Sequence, residues 1–130
     1  RSMIQIEQIE AVRHIDEILQ TPGLDGICVG PNDLSGSLGK LGRTTDPEVV
    51  EAIDFVLAKV RQTNLYAGVA TGYDETTLPV WLAKGIQWIC LNTDYSNLFQ
   101  RSAAVLQGVR RLETHAVGPP RAAQPSATKA

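Results

Sequence analysis

Short β-rich runs alternate with segments of helical period along this chain, and that alternation restricts the fold more than any other feature. Met3-Ile-Gln-Ile-Glu7 reads as a strand over residues 3–7, with Gln5 and Glu7 on one face and Ile4 and Ile6 on the other. Ile9, Val12, Ile15, Ile18 and Leu19 then recur at spacings of three and four, which predicts a helix over residues 9–19, ended by Pro22-Gly23. Gly26-Ile-Cys-Val29 predicts a second strand over residues 25–30. After a loop with one helical turn near residues 34–38, Asp46-Pro47-Glu48 has the form of a helix start. Val49, Val50, Ile53, Val56, Leu57 and Val60 face inward along that helix, which should reach about residue 63. Strands follow at 65–70 and 87–91. Between them Thr76 or Thr77 caps a short helix that has Pro79 in its first turn. A last helix over residues 95–113 turns Leu98, Val105, Leu106, Val109 and Leu112 inward.

Four βα units in succession require a parallel sheet with crossover helices. That is half of the roughly 250 residues of a (β/α)8 barrel. The fold class expected is therefore α/β, four parallel βα units like the C-terminal half of such a barrel, the other half being absent from this sequence. Residues 1–114 form the half-barrel domain, and residues 115–130, rich in Ala, Pro, Gly, Ser and Thr, a disordered tail. A complete small open sheet is the alternative. No strand, however, is followed by a nucleotide-binding glycine fingerprint.

The 12 basic and 14 acidic residues are interspersed, which argues against nucleic acid or an anionic membrane as partner. No apolar run reaches the roughly 18 residues of a membrane span. Cys28 and Cys90 lie in predicted strands and are expected to be buried free thiols, which suits a cytoplasmic protein.

The second strand runs into Gly30-Pro-Asn-Asp-Leu-Ser-Gly-Ser-Leu-Gly39, which places Asp33 just past the strand end, where ligands sit in parallel α/β folds. Glu7 ends the first strand. Two readings stand: Glu7 and Asp33 share a divalent cation, or Asp33 caps a helical turn and Glu7 is an ordinary strand-end charge. Oxygen donors of this kind suit Mg²⁺, Mn²⁺ or Co²⁺, with water and substrate completing the shell. Lys40 and Lys84 read as solvated surface charges. Arg43 is the only basic residue near the expected site. His14 and His115 are not at strand ends. Ser35 and Ser37 either cap a helix or meet an anion, and Trp81 and Trp88 pack.

Met-Ile-Gln-Ile-Glu7, Ile15-Asp-Glu-Ile18, Gly23-Leu-Asp-Gly26 and the segment 30–39 together resemble the class II pyruvate-dependent aldolases. That family includes 4-hydroxy-2-oxoheptanedioate and 2-keto-3-deoxy-sugar-acid aldolases and is related to the citrate lyase β subunit. The resemblance covers residues 3–112 and the C-terminal half of the family barrel. It implies a metal-dependent aldehyde-lyase that cleaves a 4-hydroxy-2-oxo acid to pyruvate and an aldehyde through a metal-stabilised enolate. It also implies Glu7 and Asp33 as metal ligands, Gln5 as a substrate contact, and the backbone N–H groups of Asn32 and Asp33 as carboxylate binders. Asn32 stands where the family often has alanine, and Trp88-Ile-Cys-Leu-Asn-Thr-Asp94 departs from the usual Val-Gly-Val-Asp-type segment. The family's general base and its enolate-stabilising arginine belong to the other half-barrel, so no catalytic residue is expected here. The resemblance implies a homo-oligomer, or a missing N-terminal half, as protein partner. A citryl- or malyl-thioester lyase is the alternative within the superfamily. A truncated chain that only binds metal or assembles with other subunits is the alternative outside catalysis.

Overall fold

The computed structural model describes residues 1–116. Four strands, β1 (Met3–Ile6), β2 (Gly26–Val29), β3 (Tyr66–Thr71) and β4 (Trp88–Leu91), form one sheet in the order β1-β2-β3-β4. Every neighbouring pair is parallel, as the βα alternation demands. The connections carry α1 (Ile9–Arg13), α2 (Ile15–Ile18), α3 (Pro31–Ser37), α4 (Pro47–Val60) and α5 (Leu78–Ala83). Residues 1–92 are one compact unit, and a second begins at Thr93.

Strand alternation divides the sheet into two faces. Ile6, Ile27, Val29, Ala67 and Val69 lie in a core with Val12 and Ile15 from α1 and α2, Leu34 from α3, Val49, Ile53, Val56, Leu57 and Val60 from α4, and Trp81 from α5. The parallel register aligns Met3 with Gly26 and Tyr66, and Gln5 with Cys28, Gly68 and Trp88. These residues occupy the opposite face, which would be the inside of a barrel.

The predicted helix over 9–19 breaks at His14, which has φ −100° and ψ 18°. Steps of three residues turn only about 300° on an α-helix, so the spacing 9, 12, 15, 18 walks round a straight helix. The break realigns the chain, and both Val12 and Ile15 become buried. The helical turn expected at 34–38 is instead α3, which starts on Pro31 with Gly30 at its N-cap. Asp46 caps α4 as expected, accepting from Glu48 N–H at 3.2 Å. Neither Thr76 nor Thr77 caps α5 with its side chain. Asp74 instead closes the turn that leads into α5, its Oδ1 accepting from Thr76 N–H (3.0 Å) and Thr77 N–H (2.7 Å) and from the Thr76 hydroxyl. These bonds hold the Asp74 carboxyl down at about pKa 2.

The last helix, α6 (Asp94–Ala116), opens with a reciprocal pair: Thr93 N–H donates to Ser96 Oγ (3.1 Å) and Ser96 N–H to Thr93 Oγ1 (3.4 Å). Leu98, Val105, Leu106, Val109 and Leu112, expected to face inward, are all exposed. A single amphipathic helix has no surface of its own on which to bury such a stripe. The backbone remains helical to Ala116, and the rest of the expected tail lies outside the described residues. Among the described residues no helix is long and apolar enough to cross a membrane.

Candidate active site

Glu7 follows directly on β1. Gly30 N–H donates to Ile6 O at 3.0 Å, and the register places Ile6 beside Val29, so Glu7 stands opposite Gly30 at the carboxyl end of the sheet. Gln5, one turn of the pleat below on the same face, donates Nε2–H to Glu7 Oε2 at 2.8 Å. Both side chains lie against Gly30. A Cβ there would come to 2.7 Å from Gln5 Nε2, 3.1 Å from Glu7 Cβ and 3.3 Å from Glu7 Oε2. The glycine is therefore a seat for the Gln5–Glu7 pair. The requirement comes from another strand, so the spacing of residues around Gly30 does not carry it.

Pro31 then starts α3, which carries Asn32 and Asp33 in its first turn, both exposed. Pro31 has no N–H, and the first-turn amides of Asn32 and Asp33 have no partner within the helix. Asp33 caps nothing: the N-cap is Gly30, and no side chain closes this helix start. The helix is fastened from below. Ser35, fully buried, donates to Asn32 O (2.6 Å) and accepts from Gly42 N–H (3.0 Å). Ser37 donates to Leu34 O (2.8 Å) and accepts from Ile9 N–H (3.1 Å), the first amide of α1. Both serines are thus structural, not caps of their own helix and not anion contacts.

Several charges expected to be free are engaged. Lys40 is bonded to Asp46 and Glu48, each at 2.6 Å, which raises its pKa, chiefly through the Asp46 hydrogen bond. Asp46 is lowered by the same bond. Arg43 reaches Asp46 at 3.1 Å, so the loop cation belongs to the α4 cap. Lys84 pairs with Asp54 at 2.6 Å and is largely covered. His14 sits on the helix layer, 3.6 Å from Glu17. The side chain of His115 lies outside the described residues. A groove lined by Ile9, Val12, Leu38, Ala52 and Phe55 also lies among the helices, with Arg13, Glu48 and Glu51 at its wall.

Cys28 and Cys90 are free thiols. Cys28 is buried as expected, and its thiol is pushed up to about 11, first by burial and then by Cys90 and Glu7 on the same face. Cys90 is exposed, contrary to expectation, because it lies near the end of the edge strand on the open face. Trp81 is buried in the core. Trp88 folds its indole over Gly68, and its Nε1–H is buried without a partner.

Among the described residues no cluster of three or more His, Cys, Asp or Glu side chains could hold a metal ion. Glu7 follows β1 and Asp33 lies in the first turn of α3, and both side chains are carboxylates. All-oxygen donors, with one Glu7 oxygen oriented by Gln5, fit a hard divalent cation that draws its remaining ligands from water and substrate.

Residues 1–96 match the HpcH/HpaI aldolase/citrate lyase family. The chain belongs to that family. It is 33% identical over 106 residues to the hydroxypyruvate/pyruvate aldolase of Pseudomonas aeruginosa, a match covering 82% of this chain and 39% of that protein. It is 30% identical over 117 residues to a 4-hydroxy-2-oxo-heptane-1,7-dioate aldolase of Escherichia coli, covering 90% of this chain and 44% of the other. In structure it is similar to an HpcH/HpaI aldolase of Desulfitobacterium hafniense, with a TM-score of 0.75 and 30% identity over 91% of this chain and 44% of that one. The half-barrel expectation agrees with this likeness to TIM-barrel-like structures. The chain spans about two-fifths of the length of the curated relatives it matches.

Proposed function

We propose that this chain carries the metal-holding side of a class II aldolase site, which cleaves a 4-hydroxy-2-oxo acid to pyruvate and an aldehyde. The observation that supports this most is the Glu7 carboxylate, held over Gly30 by Gln5 at the strand ends where β2 runs into the turn bearing Asp33. Glu7 and Asp33 hold the cation, which is Mg²⁺, Mn²⁺ or Co²⁺. When bound, it supplies Lewis acidity to the keto group of a 2-oxo acid. Gln5 orients Glu7 and offers its remaining donor to substrate. The first-turn amides of Asn32 and Asp33 receive the substrate carboxylate, and Asn32 adds a side-chain amide beside it. The general base and the cation that balances developing charge come from outside residues 1–114.

β1 and β4 each have one side unpaired in this sheet, and its inner face carries exposed Met3, Tyr66 and Cys90. Such edges and faces support assembly with a complementary half-barrel or a further copy. The same open edges and inner face fit a second reading, in which the chain binds metal and assembles with other subunits without turnover. The free thiols support a cytoplasmic location.

The test is a calorimetric titration of the full chain with Mn²⁺, then with pyruvate, repeated for Asp33→Ala and Glu7→Gln. Each substitution should weaken Mn²⁺ binding. Unchanged affinity in both would remove the ligand set. Release of pyruvate from a 4-hydroxy-2-oxo acid then separates an active site from metal binding alone.

A further inference from the structure

The two edge strands of this sheet lack the features that keep an exposed edge from pairing. Solitary sheets protect their edges with lysine, proline, bulges or inward-pointing charges. β1 reads Met-Ile-Gln-Ile and β4 reads Trp-Ile-Cys-Leu, with no charge and no proline in either. Exposure follows the same division. Every residue of β2 is buried, whereas Met3 and Ile4 on β1 and Leu91 on β4 are exposed. Ile4 shares its face with the buried Ile6, and Leu91 shares its face with Ile89, which packs against the core. The core layer therefore runs on to both edges as exposed apolar surface. All five helices α1–α5 give side chains to that core, so they lie on one face of the sheet, whereas all-parallel sheets are ordinarily covered on both.

Four parallel strands with both edges open are half of an eight-stranded barrel. A two-fold axis running along the strands sets β4 of each copy beside β1 of the other, uses both edges, keeps every strand parallel and closes the ring. Pairing β1 with β1 about an axis across the sheet would be antiparallel and would leave both β4 edges open.

We propose that residues 1–92 close an eight-stranded barrel with a second copy of this chain, β4 of each copy pairing with β1 of the other. This names the protein partner of the site, and its consequence for metal rests on the reading of Glu7 and Asp33 given above. Glu7 directly follows the edge strand β1, so one flank of it is open in a single copy. Closure brings the carboxyl end of β4 of the second copy to that flank, one strand spacing of about 4.8 Å from β1. Each site is then bordered by both chains and shielded from bulk water.

The test is analytical ultracentrifugation of the full chain over a range of concentrations, with circular dichroism to show that each sample is folded. The chain should be a dimer that dissociates on dilution. Ile4→Glu puts a charge on the β1 edge and Leu91→Lys puts one on the β4 edge, and each should weaken the dimer by about tenfold or more. An equimolar mixture of the two variants should regain a dimer, because one of its two interfaces is then unaltered on both sides. A folded monomer at every concentration overturns the closure and leaves the edges to a different chain. A dimer that survives both substitutions is held elsewhere and overturns it too. So does a dimer that Ile4→Glu alone disrupts, which pairs β1 with β1, and so do open assemblies of more than two copies. Mn²⁺ should bind the dimer several-fold more tightly than the Leu91→Lys monomer; equal binding means that the second copy does not complete the site. If the edges pair as described and Mn²⁺ binds neither form, the closure stands and the metal reading fails.

Discussion

Gly30→Ala separates folding from function at this site. The backbone there has φ −104°, which alanine adopts without strain. The added methyl would come to 2.7 Å from Gln5 Nε2, the free end of a flexible side chain on an edge strand. Gln5 can swing away, and Glu7 Cβ, at 3.1 Å, must yield by a few tenths of an ångström. Swinging Gln5 breaks its bond to Glu7, worth about 0.5–1.5 kcal/mol at an exposed pair. Restricting the unfolded chain returns about 0.4–1 kcal/mol. Net stability should therefore change by no more than about 1 kcal/mol. Metal binding should suffer much more, because the ligand carboxylate loses its orienting partner, an effect of roughly 10- to 100-fold in affinity. Urea unfolding and Mn²⁺ titration of the same preparation measure the two quantities. Unchanged Mn²⁺ affinity would refute the view that Gly30 seats the ligand, and so would a loss of stability large enough to account for the weaker binding.

Three further outcomes are expected. Ser35→Ala removes a fully buried hydroxyl and leaves Gly42 N–H without its acceptor, so urea unfolding should show a loss of about 1–3 kcal/mol. Gly68→Ala drives a methyl into the Trp88 indole, and overpacking of that kind costs about 1–3 kcal/mol, with a tryptophan fluorescence shift as the ring moves toward solvent. Asp74 has its folded pKa lowered to about 2 from an ordinary 3.8, so its stabilising effect is complete above pH 4 and is lost as pH falls towards 2. Asp74→Asn should flatten the acid limb of stability against pH in that window, and an unaltered limb would remove Asp74 as the origin.

Local chemistry explains why some elements could be read in advance. The β-branched run before Gly30, and Asp46-Pro47-Glu48 ahead of α4, act through their own backbone, and both were placed within a residue or two. The segment 9–19 was legible as apolar and helical but not as two helices, because its break answers to which side chains the sheet can bury. Asp74, which closes the turn before α5, is not legible because threonines closer to the helix fit the capping pattern. Cys90 was expected inside because a β-rich run looks the same in an edge strand as in a central one.

The order of residues alone settles the parallel βα architecture and places Glu7 and Asp33 at strand ends, because periodicity and turn chemistry act over a few neighbouring residues. Folding alone decides that Gly30 must lack a side chain for the sake of Gln5 and Glu7, that Ser37 completes a helix 28 positions earlier, and that Trp88 lies over Gly68. Those relations depend on strand register. Register is fixed by packing between segments remote in the chain, where sequence spacing carries no distance information.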